Sequence, residues 1–330
     1  MTRLRLTLAC GDYDRTRALA EDTVRADGID LTYLRLPVEE TFFRMMRHRE
    51  FEVAEMSLSS YAVSLHAENP PFIALPVFTS RMFRHGCIYV NSGAGVETPE
   101  DLRGKLIGTP EYQLTASVWA RGILADHHGV PVDDVTYVTG GQETPGRVEK
   151  ASLDLPANIR RRGIGPDQTL SALLATGEID ALYTPRVPSS FASGDPRVRR
   201  LFGDVVAAEK AYFRETNIFP IMHVVVIRRD VYDANRWVAQ SLYKAFLAAK
   251  AIAVDGIYDT SALRFMEPWL IAHIEEARAF LGPDYWSYGL QNNRDGLATF
   301  LRYHHEQGLS PKLLAPEDLF AVESTEAAVI

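Results

Sequence analysis

Leu4, Leu6 and Leu8 alternate with Arg5 and Thr7, a period of two that predicts a first strand over residues 4–9. Helical spacing follows over 16–26. A second strand is expected over 28–34 and a second helix over 39–49. A short strand over 51–56 leads into a helix from 57 toward 67, and the apolar run 72–77 reads as a further strand. Strands alternating with helices in this way predict a mainly parallel sheet covered by helices.

A second unit is expected to open after Asn91-Ser92-Gly93-Ala94-Gly95. There, Pro99 stands just inside a helix start, residues 105–108 and 135–138 read as strands, and 115–128 as a helix ending at Gly129. A helix over 167–176 stops at Gly177, with a strand over 179–183 behind it. The Arg-, Pro- and Gly-rich stretch 147–166 reads as a loop insertion. Residues 219–228 form an apolar, β-branched strand expected to return to the first unit, and helices are expected over 234–254, 261–281 and 294–307. The chain is thus an α/β protein of two lobes. Residues 1–91 and 219–330 form lobe 1, residues 92–218 form lobe 2, and a ligand cleft is expected between them. Ligands of open α/β sheets bind outside the carboxyl ends of strands, which directs attention to the residues that follow each strand.

A length of 330 residues fits two lobes better than one core. The formal charge of −8 opposes nucleic-acid binding, since no large basic face is left to neutralise phosphates. No apolar run has the length of a membrane span. Met1-Thr2-Arg3-Leu4-Arg5-Leu6-Thr7-Leu8 lacks the apolar core of an export signal, so a cytoplasmic location is expected. Cys10 and Cys87 are few and far apart, and are expected as buried reduced thiols.

Chemistry concentrates in Arg81-Met82-Phe83-Arg84-His85-Gly86-Cys87-Ile88-Tyr89-Val90. Guanidinium binds carboxylate bidentately and imidazole moves protons near neutral pH, so Arg81, Arg84 and His85 suit an acidic substrate that must receive a proton. If the segment is extended, Arg81, Phe83 and His85 share one face. The stretch from Thr109 to Ser117 passes from strand to helix, where backbone N–H groups favour an anion; Tyr112, Gln113 and Thr115 lie there. Thr115 as a plain cap is the competing assignment, and the same choice attaches to Ser57 in Ser57-Leu58-Ser59-Ser60. His223 falls in an apolar strand, as a core histidine or as a proton donor. Glu55 lies among apolar neighbours in Val53-Ala54-Glu55-Met56, at the end of a predicted strand. No metal-ligand spacing stands out, although His85 with Glu55 is one way to hold a divalent ion. Neither a phosphate-binding glycine loop nor a serine nucleophile elbow is present.

Several segments together resemble the 4,5-dihydroxyphthalate decarboxylase family. They are Phe42-Phe43-Arg44-Met45-Met46, the run from Glu50 to Tyr61, the Arg81-to-Val90 segment, and Pro110-Glu111-Tyr112-Gln113-Leu114-Thr115-Ala116. Val118-Trp119-Ala120-Arg121-Gly122, the run from Gly140 to Arg147, and Phe219-Pro220-Ile221-Met222-His223 extend the likeness through most of residues 1–250. Gly86 departs from it, standing where a serine is expected. The resemblance implies a type II periplasmic-binding-protein-like fold and non-oxidative decarboxylation of a hydroxylated phthalate- or benzoate-like acid. It implies His85, His223 and Glu55 as catalytic groups, and Arg81, Arg84, Ser57, Tyr112, Gln113, Thr115 and Arg121 as substrate contacts. No organic cofactor is expected. The expected partner is a small aromatic carboxylate, with self-association through the long C-terminal helices left open. The alternative function is a cytoplasmic protein that binds or senses an aromatic or dicarboxylic acid without turnover.

Overall fold

A computed structural model of the chain describes residues 3–147, 149 and 153–325. It contains two compact units. The first opens with β1 (Leu4–Cys10), α1 (Asp14–Ala20), β2 (Ile29–Arg35), α2 (Val38–His48), β3 (Val53–Ser57), α3 (Leu58–Ser64) and β4 (Phe72–Arg81). The second carries β5 (Ile88–Asn91), β6 (Leu106–Thr109), α4 (Thr115–His128), β7 (Thr136–Thr139) and β8 (Arg160–Gly163). It continues with α5 (Leu170–Thr176), β9 (Ala181–Tyr183), α6 (Ser189–Ala192), β10 (Val198–Arg200) and α7 (Val205–Thr216). The chain returns through β11 (Ile221–Arg228), α8 (Arg229–Ala234), α9 (Trp237–Ile257) and α10 (Leu270–Leu281), and ends beyond α11 (Arg294–Glu306).

The first sheet has the order β2-β1-β3-β11-β4. β1 pairs in parallel with β2 and β3, while β11 runs antiparallel between β3 and β4. The reversal follows from connectivity: the chain leaves β4 at Arg81 and re-enters on the facing rung at Ile221, so it must run back along the strand it left. Val53, Ala54 and Met56 of β3 and Val224 to Ile227 of β11 are wholly buried. Such full burial stabilises by roughly 1.5–3 kcal/mol per large aliphatic side chain. α9 packs on α1 at one face.

In the second unit the order is β10-β5-β9-β6-β7-β8. Leu170, Leu174, Ile179 and Leu182 form its core with Tyr89 and Val138. α4 lies so close to Tyr303 that a Cβ at Gly122 would stand 2.1 Å from the ring.

Several expectations need correction. Residues 81–90 are not one strand. β4 ends at Arg81, a single 3-10 turn takes His85–Cys87, and β5 then pairs with β9 and β10, which puts residues 82–91 in the second unit. Residues 298–314 also group with the second unit rather than the first. The expected loop insertion at 147–166 contains β8, which pairs with β7. The helix expected over 261–281 starts only at Leu270. Both sheets are mixed, because β11, β5 and β10 run against their neighbours.

Candidate active site

Glu55 sits in the middle of β3 with no solvent exposure, a carboxylate inside an otherwise apolar strand. A buried charge is tolerated only when fully hydrogen-bonded, and this one is. One carboxylate oxygen accepts from the Tyr13 hydroxyl at 2.8 Å, the Thr79 hydroxyl at 2.9 Å and His223 Nδ1 at 2.7 Å. The other accepts from the Gly11 backbone N–H at 2.9 Å and faces the Cys10 thiol at 3.5 Å. Burial alone pushes the Glu55 carboxyl up. His223 first, then the Gly11 N–H and the Tyr13 hydroxyl, outweigh burial and hold it at about 2, so it is ionised at neutral pH.

The donors arrive from different elements, and their convergence has local causes. Cys10, Gly11 and Tyr13 follow the carboxyl end of β1, where open α/β sheets present ligands. Gly11 has no Cβ, and one would stand 2.7 Å from the Tyr13 ring that folds back over it. His223 pairs with Ser57 of β3 and Ser80 of β4, and the β11–β4 register shifts on both sides of it. Such irregularities re-aim a side chain. Here the imidazole turns onto Glu55, and its ring meets Phe42 edge-on at 4.8 Å. Because Nδ1–H donates its hydrogen bond to the ionised Glu55, Nε2 is the nitrogen left for chemistry.

Arg15 frames this group. Its guanidinium lies over the Tyr13 ring at 4.1 Å and the Trp286 ring at 4.4 Å. It donates to the Thr79 carbonyl at 2.7 Å and to Asp14 at 3.0 Å. Burial and Glu55 both push the Tyr13 phenol well up, so it remains a donor.

The other candidate residues take different places. Arg81 ends β4 with its guanidinium buried, donating to the Ser287 carbonyl at 2.8 Å and to the Asn293 side chain. Burial lowers it to about 9. Those bonds tie β4 to the loop and turn at residues 287–293. Ser57 accepts from the Ser60 N–H at 3.3 Å, which is the capping alternative.

In the second unit, His85 packs between Phe202 at 5.2 Å and Tyr212 at 5.4 Å. Its Nδ1 has no hydrogen-bond partner among the described residues. Burial, with His128 and His127 nearby, lowers His85 to about 4, so it is neutral near pH 7. Arg84 is buried, its Nη1 3.8 Å from the Met82 sulfur, and burial lowers its pKa as well. The extended face shared by Arg81, Phe83 and His85 does not exist, because the 3-10 turn breaks it.

Thr115 is the first helical residue of α4 rather than its cap, which is Leu114. Arg121 is buried, donating to Gln307 Oε1 and to the Tyr112 carbonyl at 2.7 Å each, and lying 3.9 Å over the Tyr112 ring. The Tyr112 hydroxyl donates to the Gln307 carbonyl at 3.0 Å. Gln113 is buried beside Glu111 at 3.4 Å, and its Oε1 has no partner among the described residues. Tyr112 and Arg121 thus serve the second unit's interior.

Both cysteines are buried free thiols. Among the described residues, no group of three or more His, Cys, Asp or Glu side chains is arranged to hold a metal ion. No described helix is long and apolar enough to cross a membrane.

Solved structures share this architecture. The periplasmic sulfonate-binding protein SsuA of Methylobacillus flagellatus superposes with a TM-score of 0.55 at 14% identity, over 97% of this chain and 92% of that one. The alkanesulfonate-binding SsuA of Xanthomonas axonopodis pv. citri, bound to MOPS, gives 0.52 at 14% identity, over 97% and 99%. The fold is therefore that of the periplasmic binding proteins. No protein-family model matches the chain. Curated relatives are much nearer in sequence. The 4,5-dihydroxyphthalate decarboxylase of Comamonas testosteroni is 42% identical over 327 residues, 99% of both chains. That of Pseudomonas putida is 46% identical over 214 residues, 65% of this chain and 83% of its own. The chain belongs to the 4,5-dihydroxyphthalate decarboxylase family, a family of carboxy-lyases. Membership in it favours the enzyme over the binding protein without turnover.

Among the residues around Glu55, sequence reasoning singled out Glu55 and His223, but not Thr79 or the stacking role of Arg15. A polar residue near the end of a wholly apolar strand is the signal that Thr79 offered.

Proposed function

We propose that the protein removes CO₂ non-oxidatively from a hydroxylated phthalate, with 4,5-dihydroxyphthalate the first substrate to test, and that His223 delivers the proton. The curated relatives are named for that reaction. The observation that carries the assignment of the proton donor is the wholly buried Glu55, 2.7 Å from His223 Nδ1.

The chemistry balances with the groups at hand. A phenolate para to one carboxylate pushes electron density onto the ring carbon that bears it. That carbon takes the proton from Nε2 of the His223 imidazolium, giving a dienone. The bond to the carboxylate then breaks, its electron pair restores the aromatic ring and the phenolate, and CO₂ departs. One proton is consumed per turnover, and His223 regains it from solvent. Glu55 stays ionised, fixes the imidazole by its Nδ1 bond and stabilises the cation before transfer. Its full set of donors suits holding rather than proton abstraction.

No organic cofactor enters this scheme, because the substrate's own hydroxyl supplies the electrons. Chelation by EDTA is expected to leave turnover unchanged. His223→Asn is expected to lower kcat by about 10²–10⁴-fold, the contribution typical of a positioned general acid. CO₂ release from 4,5-dihydroxyphthalate and related phenolic acids is the direct assay. Silence across that panel, with and without divalent metal, overturns the assignment of activity; full activity in His223→Asn overturns only the proton donor.

A further inference from the structure

A cavity of about 160 Å³ lies within the first unit, against the start of α1, the C-terminal half of α9 and α10. Its aliphatic side is Val254 and Ile257 of α9 with Ile274 of α10, and its aromatic side is Tyr258, Tyr285 and Trp286. An apolar cavity of about 150 Å³ accommodates one benzene ring, so this space suits a single ring and little more.

Its charges do not cancel. Asp14 takes Arg15 at 3.0 Å, and Asp284 takes Lys250 at 2.7 Å. Arg278, one turn after Ile274 on α10, pairs with no carboxylate among the described residues; it lies 3.4 Å from the Tyr258 hydroxyl and 5.6 Å over that ring. Its position in the last turn of α10 favours the helix dipole, but that does not explain the aromatic enclosure. A flat ring held by the aromatic and aliphatic walls, with an acid group on Arg278, satisfies both features.

We propose that this cavity is a second binding site, for a single-ring aromatic carboxylate, separate from the Glu55–His223 group. The choice of ligand rests on the reading of the protein as a phthalate decarboxylase, because loss of one carboxylate from a phthalate leaves such an acid. The site has a physical route to the catalytic pair. Arg15 and Trp286 line the cavity, and the same Arg15 guanidinium lies on Tyr13 and holds the Thr79 carbonyl. The hydroxyls of Tyr13 and Thr79 both hold Glu55. A ring in the cavity presses on Arg15 and Trp286 in its wall and loosens the support of Glu55, so product slows its own formation.

Benzoate is the probe. Calorimetric titration of the full chain compares wild type with Arg278→Gln, which removes the charge, and Ile274→Trp, which fills the space. Wild type is expected to bind benzoate, with affinity falling about tenfold or more in Arg278→Gln, as loss of one charge-assisted bond requires. Ile274→Trp is expected to show no binding in the cavity. Benzoate is expected to lower wild-type kcat without a matching rise in KM, and both variants are expected to keep turnover while escaping that inhibition. Arg278→Gln alters a half-buried side chain that pairs with no carboxylate among the described residues, so it decides the matter even if Ile274→Trp fails to fold. Equal benzoate affinity in wild type and Arg278→Gln overturns the proposal. Should no phthalate release CO₂, the titration still reads the cavity, and only the assignment of the reaction falls.

Discussion

The contrast between His223 and His85 is one of partners. His223 hydrogen-bonds an ionised carboxylate, whereas His85 lies among aromatic rings with its Nδ1 unsatisfied. His85→Asn is therefore expected to keep turnover within about threefold, while Glu55→Gln, which removes the anion behind His223, loses about 10²-fold. The two buried groups also mark the acid limb of stability. Glu55 titrates at about 2 in the fold against an ordinary 4.5, so its contribution is complete above about pH 4.5 and is lost as pH falls toward 2. His85, held at about 4 against 6.5, resists protonation in the fold, so stability declines as pH falls from 6.5 toward 4. Urea titrations at pH 7 and pH 4.5 are expected to show a smaller drop in His85→Phe than in wild type; an equal drop counts against the buried neutral imidazole. Glu55 stood out in the sequence because a carboxylate amid Val53, Ala54 and Met56 has to be partnered. The surroundings of the arginines were not legible in the same way: Arg81 and Arg121 carry a charge that suits an acid, and in the structure they donate to Asn293 and Gln307, far along the chain.

Helices and strands were legible wherever a local signal set them. Gly129 and Gly177 adopt left-handed conformations at the ends of α4 and α5, as the sequence spacing predicted. Elements failed where neighbours rather than local spacing define them. β8, with every residue exposed, has no apolar pattern and exists because it pairs with β7. The turn His85–Cys87 hides inside a run that reads as a strand. The register shifts around His223 cannot be seen in Met222-His223-Val224, yet they aim the imidazole. One close approach gives a direct check on element packing. Gly122→Ala on α4 forces a Cβ against the Tyr303 ring, and overpacking of this kind costs about 1–3 kcal/mol. A lowered midpoint in denaturant is expected, and an unchanged one counts against this packing of α4 on Tyr303.

At the scale of the molecule, the two-unit plan was readable from the alternation of elements, but the crossings were not. The chain passes between units at 81/82, 220/221, 297/298 and 314/315, whereas the hydrophobic pattern placed boundaries at 91/92 and 218/219 and carried no sign of the last two crossings. The last stretch is structural in its own right. Phe320 bridges Ala74 in parallel, the Ala321 N–H donates to the Ala74 carbonyl at 2.9 Å, and the Tyr61 hydroxyl donates to the Leu319 carbonyl. This tail covers the outer edge of β4, and exposed edges invite pairing with other chains. A chain ending at Leu314 forgoes burial of Leu319 and Phe320, roughly 1.5–3 kcal/mol for each. It is expected to elute as aggregate in size-exclusion chromatography; an unaltered elution profile and denaturation midpoint count against that role. The facing of Arg81 and Ile221 across β4 and β11 has a further use. Departure and return face each other on one rung of a ladder, so most of the second unit is attached to the first at a single point of the sheet. Exchanging residues 82–220 together with 298–314 for the matching spans of a relative keeps the contacts of Tyr303 and Gln307 with α4 intact, which makes chimaeras a practical way to apportion substrate preference between the units.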